Sequence, residues 1–265
     1  MSRSIFQQHA NAGYFRNGLA YNRAGRGPRP LIVFQGLMFE NKPQAGMTFS
    51  YKFLGHDYTI YAVLRKPHLP HGYTIKNMAD DYAEMIRAEF GEPVDLLGVS
   101  TGGSIAQQFA ADHPELVRRL IIHSSAHALG AGGRQAQLNM AHLARQGSFT
   151  EAASHLLEFM FPKGVFWKLA SWLASRLMMG NPKDLNDLIV TIEAEDQFQF
   201  KDRLGEIRAP TLVIAGSEDP FYTEDLFRET AEGIPNAHLT LYPKMRHPAY
   251  GKQFERDVLF FLKKM

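Results

Sequence analysis

Cysteine is absent from the 265 residues. That excludes a disulfide framework, a thiolate metal site and a cysteine nucleophile. Charge of one sign is also lacking: 29 basic residues face 27 acidic ones, a formal net charge of +2. With no Lys/Arg block standing out, the chain does not read as a nucleic-acid binder. No apolar run reaches the length of about 18 residues that a membrane-spanning helix needs. The first ten residues, Met1-Ser-Arg-Ser-Ile-Phe-Gln-Gln-His-Ala10, lack the apolar core of a secretory signal, so a cytoplasmic location is the expectation. Internal repeats and low-complexity tracts are missing as well. What remains is an ordinary globular balance, 45% apolar and 21% charged. The length suits one α/β unit with an insertion, or two domains.

Short apolar runs alternate with helical patterns, which favours a mostly parallel sheet flanked by helices. Residues 13–24 read as a hairpin turning at Asn17-Gly18. Leu31–Phe34, Tyr58–Leu64, Val94–Leu97 and Leu120–Ile122 read as buried strands. Thr74–Phe90 reads as a helix, with Ile75, Met78, Tyr82, Met85, Ile86 and Phe90 on one face. The rhythm breaks at Ser124. It resumes at Thr211–Ala215 and continues through a helix near 223–232, a strand at His238–Tyr242 and a last helix over 252–264. Between lies a helical stretch rich in large apolar groups and carrying both tryptophans, Trp167 and Trp172. These boundaries predict a main domain of residues 1–129 and 203–265 and a helical cap of 130–202, inserted after the sixth strand. Gly130-Ala-Gly-Gly133 lacks the signatures of a dinucleotide loop or a P-loop and reads as a hinge into that cap.

Gly98-Val99-Ser100-Thr101-Gly102 follows a strand pattern and opens a helical one. This is the setting of a nucleophile elbow, where a sharp strand-to-helix turn lifts a serine above the sheet. A serine hydroxyl needs a neighbouring base, and the base needs a third group to hold its tautomer. Asp219, in Gly216-Ser-Glu-Asp-Pro220, and His247, in Lys244-Met-Arg-His-Pro248, follow the serine in the order acid, then base. Both lie past the carboxyl ends of strands, where open α/β sheets bind ligands. Glu218 is the alternative acid. After the strand at 120–122 the chain offers His123, Ser124 and Ser125 and no carboxylate. Oxyanion stabilisation needs two backbone N–H groups, assigned here to Thr101 and Leu37. Arg65 and Lys66 follow a strand end, where they either meet a substrate carboxylate or are solvated, and solvation is the expectation.

These segments, with Gln35-Gly36, Met78-Ala-Asp-Asp81 and Ala209-Pro-Thr-Leu-Val-Ile-Ala215, resemble the α/β-hydrolase superfamily. The chain is most similar to its small cap-bearing esterases and their relatives among epoxide hydrolases, C–C bond hydrolases and cofactor-free haloperoxidases. Two departures stand out: Gln35-Gly36 where the family usually has His-Gly, and Arg246-His247-Pro248 where it usually has Gly-His. Ser100 argues against the relatives that place aspartate at the elbow. The resemblance implies a serine hydrolase with a helical cap. Ser100, Asp219 and His247 would form its triad, with no metal or cofactor. The expected reaction is hydrolysis of a small, apolar carboxylic ester, contacted by Gly36, Met38, Phe161 and Trp167. C–C bond hydrolysis, perhydrolysis and a slow-turnover ligand receptor are the alternatives.

Overall fold

The computed structural model describes residues 11–44, 46–160 and 185–263. Gly18 takes a φ of +90° in the Asn17-Gly18 turn, which lets β1 (Ala12–Tyr14) fold back antiparallel on β2 (Ala20–Gly25). The remaining strands are β3 (Arg29–Phe34), β4 (Tyr58–Val63), β5 (Val94–Val99), β6 (Val117–His123), β7 (Thr211–Gly216) and β8 (Ala237–Tyr242). They form one eight-stranded sheet in the order β1-β2-β4-β3-β5-β6-β7-β8. β2 runs antiparallel to β4, and every pair from β4 to β8 is parallel. β5 and β7 are buried along their whole length, as strands covered on both faces should be.

Because side chains alternate along a strand, β3 divides the core. Ile32 and Phe34 join one cluster with Tyr82, Ile105, Phe109 and Phe227. Leu31 and Val33 join another with Leu97, Ile214, Phe254 and Val258. The first face is covered by α1 (Ile75–Glu89) and α2 (Thr101–Asp112). A capping box starts α1, with Thr74 and Asn77 satisfying each other's backbone N–H.

Between β6 and β7 the chain forms α3 (Ala131–Arg145), α4 (Phe149–Met160) and α5 (Asn186–Asp196). These helices share an apolar cluster of their own, including Met140, Ala144, Phe149, Ala153, Leu188 and Ile192. The opposite side of α5 places Val190 and Ala194 in the main core. After β7 come α6 (Glu224–Gly233), β8 and α7 (Lys252–Lys263). β3 pairs with β4 on one side and β5 on the other. The strand order therefore changes direction there, and the crevice past the carboxyl ends of β3 and β5 is where such a sheet holds a ligand.

Candidate active site

The elbow sits at that crevice. Ser100 has φ +53° and ψ −130°, a backbone conformation costing on the order of 1–3 kcal/mol outside glycine. The flanking glycines allow the bend because neighbouring backbone fills the space a Cβ would need. A Cβ on Gly98 would stand 2.4 Å from the Gly102 carbonyl oxygen, and one on Gly102 would stand 2.1 Å from that of Phe34.

His247 Nε2 lies 2.9 Å from Ser100 Oγ, and His247 Nδ1 lies 2.7 Å from Asp219 Oδ2. The other carboxylate oxygen of Asp219 accepts backbone N–H bonds from Phe221 (2.9 Å) and Tyr222 (3.3 Å). These bonds leave Oδ2 facing the imidazole. Asp219 is buried while Glu218 is exposed, so the structure brings Asp219, and not its neighbour, to His247. The loop carrying His247 is pinned to the end of β6. Ala249 donates its N–H to Ser124 Oγ at 3.1 Å, and His123 Nε2 donates to the Ala249 carbonyl at 2.9 Å.

Ser100 and His247 open onto a cavity of about 180 Å³ whose wall includes Gly36, Leu37, Gln137, Leu156, Met160 and Phe221. Gly36 approaches the elbow closely: a Cβ there would stand 3.1 Å from Ser100 Cβ. Met38 lies outside this wall; its neighbours Leu37 and Phe39 pack against the α3–α5 cluster. Phe161 and Trp167 lie outside the described residues.

Arg65 corrects an expectation. It is not solvated but 1% exposed. It donates from Nη1 to the Gln35 carbonyl and from Nη2 to the Gly36 carbonyl, each at 3.0 Å. Burial pulls its pKa down, and the charges of Glu195 and Asp187 are among those that pull it back up. A guanidinium that nearly always stays charged is thereby held against two backbone oxygens. Lys66 is partly buried and pairs with Asp81 at 2.6 Å.

Glu195 was not expected at all. It lies in the last turn of α5 and is 1% exposed. Within the run Glu193-Ala-Glu195-Asp196 it reads as part of a solvated acidic face, and no local signal separates it from its neighbours. Phe221 in the cavity wall was missed as well, although it is the apolar residue two places after the acid.

A 2-hydroxy-6-oxononadienedioate/2-hydroxy-6-oxononatrienedioate hydrolase of Cupriavidus pinatubonensis is 33% identical over 187 residues, 64% of this chain. The match spans 62% of that relative's own length. A hydrolase from Pseudomonas aeruginosa superposes with a TM-score of 0.79 at 22% identity, covering 93% of this chain and 94% of the other. The enol-lactonase of Burkholderia xenovorans gives 0.77 at 19% identity, covering 96% of this chain and 100% of the other. Residues 54–252 match the model of the alpha/beta hydrolase fold family, a span that runs from ahead of β4 past the His247 loop, and the chain belongs to that family.

Proposed function

We propose that this chain is a serine hydrolase that cleaves carboxylic esters through an acyl-enzyme. The observation that carries the reading is the hydrogen-bonded series Asp219–His247–Ser100, ending on a strained serine at the mouth of a mainly apolar cavity. His247 Nε2 takes the proton of Ser100 Oγ as the oxygen attacks the ester carbonyl carbon. Negative charge on the carbonyl oxygen is met by the N–H groups of Thr101 and Leu37. Thr101 opens α2, so its N–H has no partner in the helix ladder. The intermediate collapses, His247 returns the proton to the leaving alkoxide, and the alcohol departs. Water then repeats the sequence: His247 accepts its proton, the hydroxide attacks the acyl carbon, and Ser100 leaves with that proton as the acid is released. Asp219 keeps the proton of Nδ1 directed at itself, so that Nε2 faces the serine.

The helices α3, α4 and α5 act as a cap over this chemistry. Support comes from Gln137 on α3 and Leu156 and Met160 on α4, which wall the cavity that Ser100 enters. C–C bond hydrolysis is the second reading, favoured by the likeness to the Cupriavidus protein. The same serine, base and N–H donors would serve a β-diketone-like substrate.

One experiment tests the first reading. Purified enzyme is assayed with p-nitrophenyl esters from acetate to palmitate, beside a 2-hydroxy-6-oxo-dienoate. Many ester turnovers per site, abolished in Ser100→Ala by at least about 10⁴-fold, are expected. A few turnovers per site, or turnover of the dienoate alone, would reject the esterase.

A further inference from the structure

Glu195 receives four side-chain hydrogen bonds. Thr101 Oγ1 (2.6 Å) and Gln137 Nε2 (2.9 Å) donate to Oε2, and Ser104 Oγ (2.9 Å) and Tyr222 OH (3.1 Å) donate to Oε1. A carboxylate offers about four lone-pair sites, so each oxygen is fully used. Burial pushes the pKa of the Tyr222 hydroxyl well up, which keeps it a donor. The donors come from three separate segments. Thr101 directly follows Ser100, and Ser104 lies one turn further along α2. Gln137 stands in the cavity wall. Tyr222 uses its own N–H to hold Asp219.

We propose that Glu195 is a positioning residue that locks the turn carrying Ser100 and Thr101 to the cavity wall and to the Asp219 turn. This rests on the serine-hydrolase reading. Burying an ion merely to fasten α5 would be wasteful, since well-packed apolar groups of similar size hold an element at least as well. α5 already has Leu188, Val190 and Ile192 buried for that purpose. The carboxylate instead fixes direction. With its hydroxyl held, Thr101 keeps its χ1 and its peptide plane, and with them the aim of the N–H offered to the oxyanion. Reaction rate is sensitive to such aim, because displacements of about 1 Å remote from the chemistry can cost about 10²-fold.

The test compares Glu195→Gln, Thr101→Val, Thr101→Ser and the Thr101→Val/Glu195→Gln double variant. It reads kcat and KM on p-nitrophenyl butyrate and the rate of Ser100 labelling by a fluorophosphonate. Glu195→Gln is expected to lower kcat and the labelling rate by about 10- to 100-fold with KM within about threefold. Thr101→Val should fall in the same direction. Thr101→Ser, which keeps the hydroxyl, should recover most of the rate lost in Thr101→Val. The double variant should be little worse than Glu195→Gln alone, because the two residues act through one contact. Glu195→Gln at wild-type kcat with only a lower unfolding temperature, or fully additive losses, would overturn the inference. Should Glu195→Gln fail to fold, the Thr101 pair decides: equal rates for Val and Ser reject it. A wild-type enzyme that the fluorophosphonate does not label at Ser100 overturns the underlying reading too, whereas a labelled wild type with an unaffected Glu195→Gln removes this inference alone.

Discussion

Arg65 donates from Nη2 to the Gly36 carbonyl at 3.0 Å, and that carbonyl belongs to the same peptide unit as the N–H of Leu37. A trans peptide is planar with its C=O and N–H pointing in opposite directions. Fixing the oxygen therefore also fixes the direction of the Leu37 N–H, the group that the proposed mechanism offers to the oxyanion. The nearby charge also polarises the peptide, which strengthens the N–H as a donor.

From this, Arg65→Met should lower kcat by about 10²-fold, approaching the loss from removing one oxyanion donor, with KM little changed. Arg65→Lys should recover only part, because the compact ammonium lacks the two separated nitrogens with which the planar guanidinium meets the two carbonyls. Steady-state kinetics on one short-chain ester suffices. A kcat within about threefold of wild type in Arg65→Met would show that the Gln35-Gly36 loop keeps its shape unaided.

Asp219→Asn should cost about 10³- to 10⁴-fold in turnover, since the amide favours the wrong histidine tautomer. Glu218→Gln should cost less than about tenfold by the same logic, because the Glu218 side chain is exposed while Asp219 meets the imidazole at 2.7 Å. Circular dichroism and kcat measured on both variants check this. Reversed losses would hand the role to Glu218.

Much of this site was legible because its signals are local in the chain. The elbow is five consecutive residues between a strand and a helix, and His247 follows the last strand. Its partner Asp219 follows the one before. The two buried charges were illegible for a common reason. A charged residue reads as solvated unless its partners are known, and the partners here are distant. Arg65 is satisfied by backbone carbonyls of residues 35 and 36, which no side-chain pattern announces. Glu195 is satisfied by side chains at 101, 104, 137 and 222 that only the fold collects. The helix at 186–196 shows the same limit: its leucine, valine and isoleucine residues face two different cores, so no single stripe marks its inner side.

His123 makes stability depend on acidity. Burial lowers its pKa from 6.5 to about 3, against a smaller opposing effect of its bond to the Ala249 carbonyl. The unfolded chain therefore binds a proton that the folded chain refuses between those two values. Its stabilising contribution is complete above 6.5 and is lost as pH falls towards 3, by up to about 1.4 kcal/mol per pH unit. Urea unfolding at about pH 7.5 and about pH 5.5 should show this loss in wild type. His123→Gln keeps an N–H for Ala249 without a titrating ring, so its loss over the same interval should be smaller by about 1 kcal/mol. Equal losses in the two proteins would mean that other groups carry the acid sensitivity.

Leu156 and Met160 lie four residues apart on α4, hence on one face of it, and both wall the cavity beside Ser100. If this wall receives the acyl chain, its size sets the longest chain accepted. Met160→Ala or Leu156→Ala should raise kcat/KM for octanoyl relative to butanoyl esters, and Leu156→Trp should do the reverse. Each methylene accommodated or refused is worth roughly 1–3 kcal/mol, so ratios should move at least about tenfold. Phe159 is a poorer choice, because its ring packs edge-on against Phe221 at 4.9 Å and truncation would disturb the wall itself. The measurement is kcat/KM for acetate, butyrate, octanoate and dodecanoate esters in each variant, with the unfolding temperature beside it. A reordered preference at near-constant stability assigns these side chains to the pocket. Parallel losses across all four esters, with a stability loss of about 2–5 kcal/mol for the alanine variants, would show instead that they pack the inserted helices.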